Sequence, residues 1–270
     1  MRQTAKRLTR TTLQRLGLRV IREAGWQAHL RHEELLIEQL AGWCDQALPL
    51  GLLPRPGRSR LLARLQGTTV SEALYLLRCL HRSLPAGGDV CEFGVAQGFT
   101  SALLAGELLD SHRTLWLYDS FEGLSKPTGH DVLLDDICSL GSIDAYERTF
   151  AFGPDEVRSR LAEVGFPAER TRVVPGFLDE TQTAAHLPAL VCFAYLDMDL
   201  YEPTRIALAL LHDRLAPGAH VVVDDYGFFS AGAKTAVDEL VAARPGGYEV
   251  ALPHGFAGRF CMLTRKGDPR

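Results

Sequence analysis

The stretch "DVCEFGVAQGFTSALLAGELLD" at residues 89–110 decides the fold. Its opening "DVCEFGV" reads as a strand, Gly94 and Gly98 supply a turn, and "FTSALLAGELLD" reads as a helix. A strand, a glycine turn and a helix form the first half of a βαβ unit, and the same alternation continues downstream. "TLWLYD" (114–119) is a second strand. "PDEVRSRLAEVG" (154–165) is a helix with Pro154 in its first turn and Gly165 at its end, and "RVVPG" (172–176) is a short strand. "LVCFAYLD" (190–197) is apolar without alternation, the mark of a strand covered on both faces. After it come a helix "PTRIALALLHDRLAPG" ended by Gly218, a buried strand "HVVVDD" (220–225) and a helix "AKTAVDELVAA" (233–243). "YEVALPHGFAGRFCMLTRK" (248–266) closes the chain as two strands about a glycine-containing turn. The expected fold is α/β: a Rossmann-like, doubly wound, mostly parallel sheet with right-handed crossovers and an antiparallel final strand.

Upstream of residue 89 the pattern differs. Residues 5–48 read as helix, with Leu30, Ile37, Leu40 and Trp43 at three- and four-residue steps. "LPLGLLPRPGRSR" (48–60) is rich in Pro and Gly and reads as a linker. A further helix is expected from Val70, capped by Thr68 or Thr69, with Glu72 in its first turn. The domain division expected is a helical N-terminal extension and linker at 1–60 and the α/β domain at 61–270.

With 270 residues, 46% of them hydrophobic, the chain can bury a substantial core, and a net charge of −4 excludes a polyelectrolyte binder. Residues 1–32 are an exception, with eight Lys or Arg against Glu23 alone. Such an arm reads as a solvated helix face or as a contact for nucleic acid or an anionic membrane. The six cysteines show no CxxC pair and no zinc-like grouping with His. No apolar run approaches the roughly 18–20 residues that span a bilayer, and no secretory leader is evident. No stable membrane insertion, no nucleic-acid partner and a cytoplasmic location are therefore expected.

Ligands of open α/β sheets bind at the carboxyl ends of the strands. The first such end carries Glu92, Gly94 and Gly98, where glycines let the backbone turn and approach a ligand. The second carries Asp119, placed to hydrogen-bond the hydroxyls of a ribose. The spacing is E-x-G-x-x-x-G, not the G-x-G-x-x-G of a pyrophosphate cradle. A nucleoside ligand without pyrophosphate fits better, and S-adenosylmethionine is such a ligand; the other reading is that the glycines serve helix–sheet packing alone.

Two further strand ends carry acids: Asp197 and Asp199 in "LDMDLYEPT", Asp224 and Asp225 in "VVVDDYG". A helix cap accounts for one of the first pair. Carboxylates about 4 Å apart repel by roughly 4 kcal/mol at an effective dielectric of 20, so the cluster needs a shared proton or a cation. Oxygen donors without neighbouring His or Cys favour Mg²⁺ over zinc.

These motifs resemble the macrocin O-methyltransferase (TylF-type) family. The resemblance rests on "LDMDLYEPT" (196–204), "VVVDDYG" (221–227) and "KTAVDEL" (234–240), supported by "DSFEGL" (119–124), "CEFGV" (91–95) and "GFLDET" (176–181), and covers about residues 68–265. It implies a class I methyltransferase domain with S-adenosylmethionine as donor, and Mg²⁺ bound by Asp197, Asp224 and Asp225. Asp197 is also the implied general base, with Glu92, Gly94, Gly98, Asp119 and Ser120 toward the cofactor. The acceptor it implies is a small-molecule hydroxyl, on a sugar of a natural product or glycan, and the assembly a homodimer. Ala96-Gln97-Gly98-Phe99, Met198 and Pro203 depart from the family's usual residues.

"GHDVLLDDICSLGS" (129–142) is expected to form a lid or acceptor wall, its Asp131, Asp135 and Asp136 either contacting a polar acceptor or solvated. Tyr201 and Tyr226 either line the site or pack, His254 is structural, and Asp179 caps a turn. Two rival functions are a nicotinamide-dependent oxidoreductase, which lacks its glycine fingerprint here, and a binding protein that keeps the fold without catalysis.

Overall fold

The computed structural model describes residues 52–253 and 257–267. The helix expected over 5–48, the basic arm and His254 lie outside the described residues. Strands β1 (Asp89–Phe93), β2 (Leu115–Asp119), β3 (Thr171–Pro175), β4 (Val191–Leu196), β5 (Leu215–Val223), β6 (Tyr248–Ala251) and β7 (Cys261–Arg265) form one sheet in the order β3-β2-β1-β4-β5-β7-β6. β1 to β5 run parallel, and β7 enters antiparallel between β5 and β6. The strand order reverses between β1 and β4, and that switch point places the crevice.

Helices α1 (Arg58–Leu62), α2 (Val70–Ser83), α3 (Phe99–Glu107), α4 (Pro154–Glu163), α5 (Glu180–Ala185), α6 (Tyr201–His212) and α7 (Ala231–Ala243) connect and cover the strands. Alternation along β4 divides the core. Phe193 and Tyr195 pack with Leu76 of α2, Leu103 of α3 and Val157 of α4. Ala194 and Leu196 pack with Leu208 of α6 and Val237 of α7 on the other face. β4 is buried at every position, as its unbroken apolar run predicts.

Local chemistry sets the element ends. Thr69 accepts from the Glu72 N–H at 3.2 Å to cap α2. Asp179 caps α5 through the N–H groups of Thr181 and Gln182, both at 2.9 Å. One boundary differs from expectation: α6 stops at His212, and Leu215 to Gly218 (φ 82°) already belong to β5. The β4–β5 register shifts between Val191 and Phe193, so the early part of β5 is an irregular strand that apolar periodicity reads as helix.

The expected linker is anchored where it is described. Leu52 and Leu62 are buried, and α1 crosses the 60/61 boundary. Arg58 donates to both oxygens of the buried Glu107 at 2.7 and 2.8 Å, and His81 Nε2 lies 2.7 Å from the same carboxylate. Among the described residues no helix is long and apolar enough to cross a membrane.

Candidate active site

A cleft of about 440 Å³ opens at the carboxyl ends of β1, β2, β4 and β5. One wall is the β1–α3 loop, shaped by close approach. Gly94 has φ 80°, and a Cβ there would lie 1.7 Å from the Asp197 carbonyl oxygen, so only glycine lets β1 and β4 meet this tightly. Gly98 (φ 81°) forms the N-terminal cap position of α3 against Val157. Ala96 also has a left-handed backbone, φ 46°.

Asp119 holds this loop in place. Its Oδ2 accepts from the N–H groups of Val95 and Ala96 at 2.7 and 2.8 Å, and its Oδ1 from Phe121 at 2.7 Å. The side chain still lines the cleft. Ser120 lines it too, while its hydroxyl donates to Gly123 O at 2.8 Å and accepts from Glu122 N–H at 3.0 Å. Glu92 differs from expectation. It is fully buried, takes hydroxyl hydrogen bonds from Thr100 and Ser101, and is absent from the cleft lining. Even-numbered positions of this strand point into the helix layer, so its carboxylate braces α3, and burial lifts its pKa to about 7.

The opposite wall gathers acids. Asp197, Asp199, Asp224 and Asp225 all line the cleft. Asp197, Asp199 and Asp225 each present an oxygen within 4.8 Å of the others. Asp224, a member of the implied ligand set, is turned differently: Oδ1 accepts from the Asp225 N–H at 2.8 Å and Oδ2 lies 3.2 Å from the Tyr195 hydroxyl. Asp199, part of the acid cluster but absent from the ligand set implied by the resemblance, stands in the group instead. Asp199 (φ 60°) and Asp225 (φ 53°) both hold left-handed backbones, a strain of about 1–3 kcal/mol each.

Burial raises every one of these carboxyls. Asp197 is pushed well above the usual carboxylate range, with Asp224 and Asp199 adding repulsion. Asp225 rises to about 11 by burial and then by facing Asp199, Asp224 and Asp197. Asp199 reaches only about 6, because a hydrogen bond from Asp225 offsets part of the burial effect. A fifth acid joins from α2: Glu72, 4% exposed, is pushed to about 10 by burial and by Asp224. Among the described residues none of the five is ion-paired with Lys, Arg or His. All-carboxylate donors that lack a protein cation fit a hard divalent ion.

Over the cleft lie Ile137, Phe150 and Phe177, all exposed above a third of their area, with Phe228 and Phe229 behind them. The segment 129–142 therefore does contribute a wall, through Ile137. Its acids do other work. Asp131 is buried and accepts from Thr128 N–H, Tyr201 N–H and the Ser230 hydroxyl, tying the segment to α6 and α7. Asp136 accepts from the Tyr146 hydroxyl at 2.6 Å, and Asp135 is exposed. Tyr201 and Tyr226 are outside the lining, their hydroxyls donated to Glu239 and Asp238.

Tyr195 and Glu72 are the residues of this site that motif reading missed. Period-two alternation back from Asp197 puts Tyr195 on the same face of β4, which is the signal that could have found it.

The family profile of macrocin-O-methyltransferase (TylF) matches residues 77–245. An 8-demethyl-8-(2,3-dimethoxy-α-L-rhamnosyl)-tetracenomycin-C 4'-O-methyltransferase of Streptomyces olivaceus is 32% identical over 55% of this chain and 57% of its own length. A demethyldecarbamoylnovobiocin O-methyltransferase of Streptomyces niveus is 32% identical over 57% of this chain and 58% of its own. The matches thus span less than three fifths of these relatives. The calicheamicin methyltransferase CalS11 superposes over 87% of this chain and 93% of its own, with TM-score 0.61 and 22% identity, which shows the shared fold.

Proposed function

The chain belongs to the macrocin O-methyltransferase (TylF) family, and from that membership we propose that it methylates a hydroxyl of a glycosylated natural product with S-adenosylmethionine as donor. The observation that carries the chemistry is the cluster of Asp197, Asp199, Asp224 and Asp225 facing the glycine loop across one cleft. S-adenosylmethionine supplies an activated methyl group. The β1–α3 loop, opened by Gly94 and pinned by Asp119, would seat it, with Ser120 beside it.

A divalent cation, Mg²⁺ by donor chemistry, would be held by the aspartates and would supply Lewis-acid polarisation of a hydroxyl. Asp197 and Asp225 belong both to the set implied by resemblance and to the close group in the structure; Asp224 and Asp199 compete for the third place. Asp197 and Asp199 stand at the cleft to take the proton that the acceptor hydroxyl sheds. Ile137, Phe150 and Phe177 offer an apolar rim for the acceptor's non-sugar body. The sugar itself is inferred from the tetracenomycin relative, which is named for a rhamnosyl 4'-hydroxyl. A homodimer in the cytoplasm completes the reading.

The test is release of S-adenosylhomocysteine with a panel of glycosylated acceptors, with and without Mg²⁺. Turnover with at least one acceptor, lost in excess chelator, is expected. Undiminished turnover in chelator contradicts the metal role, and binding of the donor without turnover on any acceptor favours the non-catalytic alternative.

A further inference from the structure

Tyr195 sits in the middle of the acid cluster yet belongs to the core. It is wholly buried in β4, and its ring packs in the same apolar cluster as the leucines of α2. Its hydroxyl lies 3.2 Å from Asp224 Oδ2, 3.4 Å from Glu72 Oε1, 3.5 Å from Asp197 Oδ2 and 3.5 Å from Thr68 Oγ1. One phenolic proton thus faces three carboxylates drawn from α2, β4 and β5.

Glu72 is unusual for its place. A glutamate in the first turn of a helix ordinarily faces water and complements the helix dipole. Here the backbone N–H of Glu72 serves the Thr69 cap, while its carboxyl turns inward, Oε1 lying 3.4 Å from the Tyr195 hydroxyl. Burying it costs free energy that neither capping nor packing requires. Asp224 is held on both oxygens, by the Asp225 N–H on Oδ1 and by the Tyr195 hydroxyl on Oδ2, and that same hydroxyl faces Glu72.

We propose that Tyr195 and Glu72 are positioning residues for the aspartate cluster, fixing the side chains of Asp224 and Asp197 so that the cleft presents a preformed oxygen site to a divalent cation. The inference rests on the divalent-cation reading above. Partners that orient ligating side chains without touching the ion typically govern its affinity by about 10–100-fold. Tyr195→Phe keeps the ring in the core and removes only the hydroxyl. Glu72→Gln keeps a hydrogen-bonding oxygen beside the Tyr195 hydroxyl, and Glu72→Ala removes it.

Mn²⁺ titrated into wild type and the three variants, with free ion followed by electron paramagnetic resonance, tests this. Calorimetric binding of S-adenosylhomocysteine and a thermal melt are measured on the same preparations. Expected are Mn²⁺ uptake by wild type, a loss of roughly tenfold or more in Mn²⁺ affinity for Y195F and E72A, substantial recovery in E72Q, and unchanged S-adenosylhomocysteine affinity throughout. Y195F and E72A binding Mn²⁺ as tightly as wild type would overturn the inference alone. So would Mn²⁺ and S-adenosylhomocysteine affinities falling in step, which marks general loosening. Wild type taking up no Mn²⁺ would overturn the divalent reading and this inference together, visible in that trace by itself. If Y195F does not fold, the E72A and E72Q pair decides.

Discussion

Asp119 ends β2, Asp225 lies just past β5, and both line one cleft, yet their environments are opposite. Asp119 is saturated with backbone amides, three N–H groups within 2.8 Å. Asp225 looks onto Asp199, Asp224 and Asp197, with no basic partner among the described residues. A carboxylate that amides satisfy shapes a loop and can do so without a ligand. Carboxylates set against one another are stable only with a proton or a cation between them. The cleft thus has a finished half and an unfinished half, and the proposed methyl transfer falls to the unfinished half.

The most damaging substitution strikes the seam between the halves. Gly94→Ala drives a Cβ to 1.7 Å from the Asp197 carbonyl at a left-handed backbone, and a loss of about 3 kcal/mol or more is expected in denaturant unfolding. A near-native unfolding midpoint would show that β1 and β4 separate easily and that the two halves are not mechanically joined.

Asp225→Asn should separate function from stability. Methyl transfer falls by at least the roughly 10–100-fold that loss of a ligand-orienting partner costs, while the melting temperature holds or rises because repulsion inside the cluster is relieved. Activity lost together with fold would mean that the acids were structural. Asp119→Asn is the mirror experiment. It loosens the glycine loop and weakens S-adenosylhomocysteine binding by roughly tenfold, with Mn²⁺ affinity as in wild type, and both are read by calorimetry.

The smallest effect is in pH. Acids whose pKa is raised by folding retain protons that the unfolded chain has already released, so the unfolded state binds fewer protons and stability falls as pH rises. For Asp199 (about 6) and Glu92 (about 7) that window runs from about pH 4 to 7; for Glu72 and Asp225 it extends beyond neutrality. Metal-free protein should therefore melt a few degrees lower at pH 8 than at pH 5, and Mg²⁺ should flatten the slope. A melting curve that rises with pH would reverse the assignment of strain to the acidic half.

The finished half was the more legible in the sequence. Glycines 94 and 98 act through the backbone, and backbone demands leave marks at fixed spacing; Asp119 reads from sequence as a ribose partner, whereas its grip on the loop amides shows only in the fold. The β4 and β5 ends were legible as acids after apolar runs. Which carboxylates converge was not, because convergence depends on rotamers and on the left-handed turns at Asp199 and Asp225, and L-aspartate does not announce such turns as glycine does. Glu92 shows the same limit: its motif position suggests a ligand contact, yet Thr100 and Ser101 in the first turn of α3 claim both oxygens. Glu72 was hidden by its place in a helix's first turn, where an acid has a sufficient local explanation.

The clasp on Glu107 has a practical consequence for anyone trimming this chain. Beginning expression at residue 61, where composition draws the border, would delete Arg58 and Arg55 and abandon an almost inaccessible carboxylate to His81. Solubility would suffer for reasons unrelated to catalysis. A shortened protein that starts ahead of Leu52 keeps that lock closed.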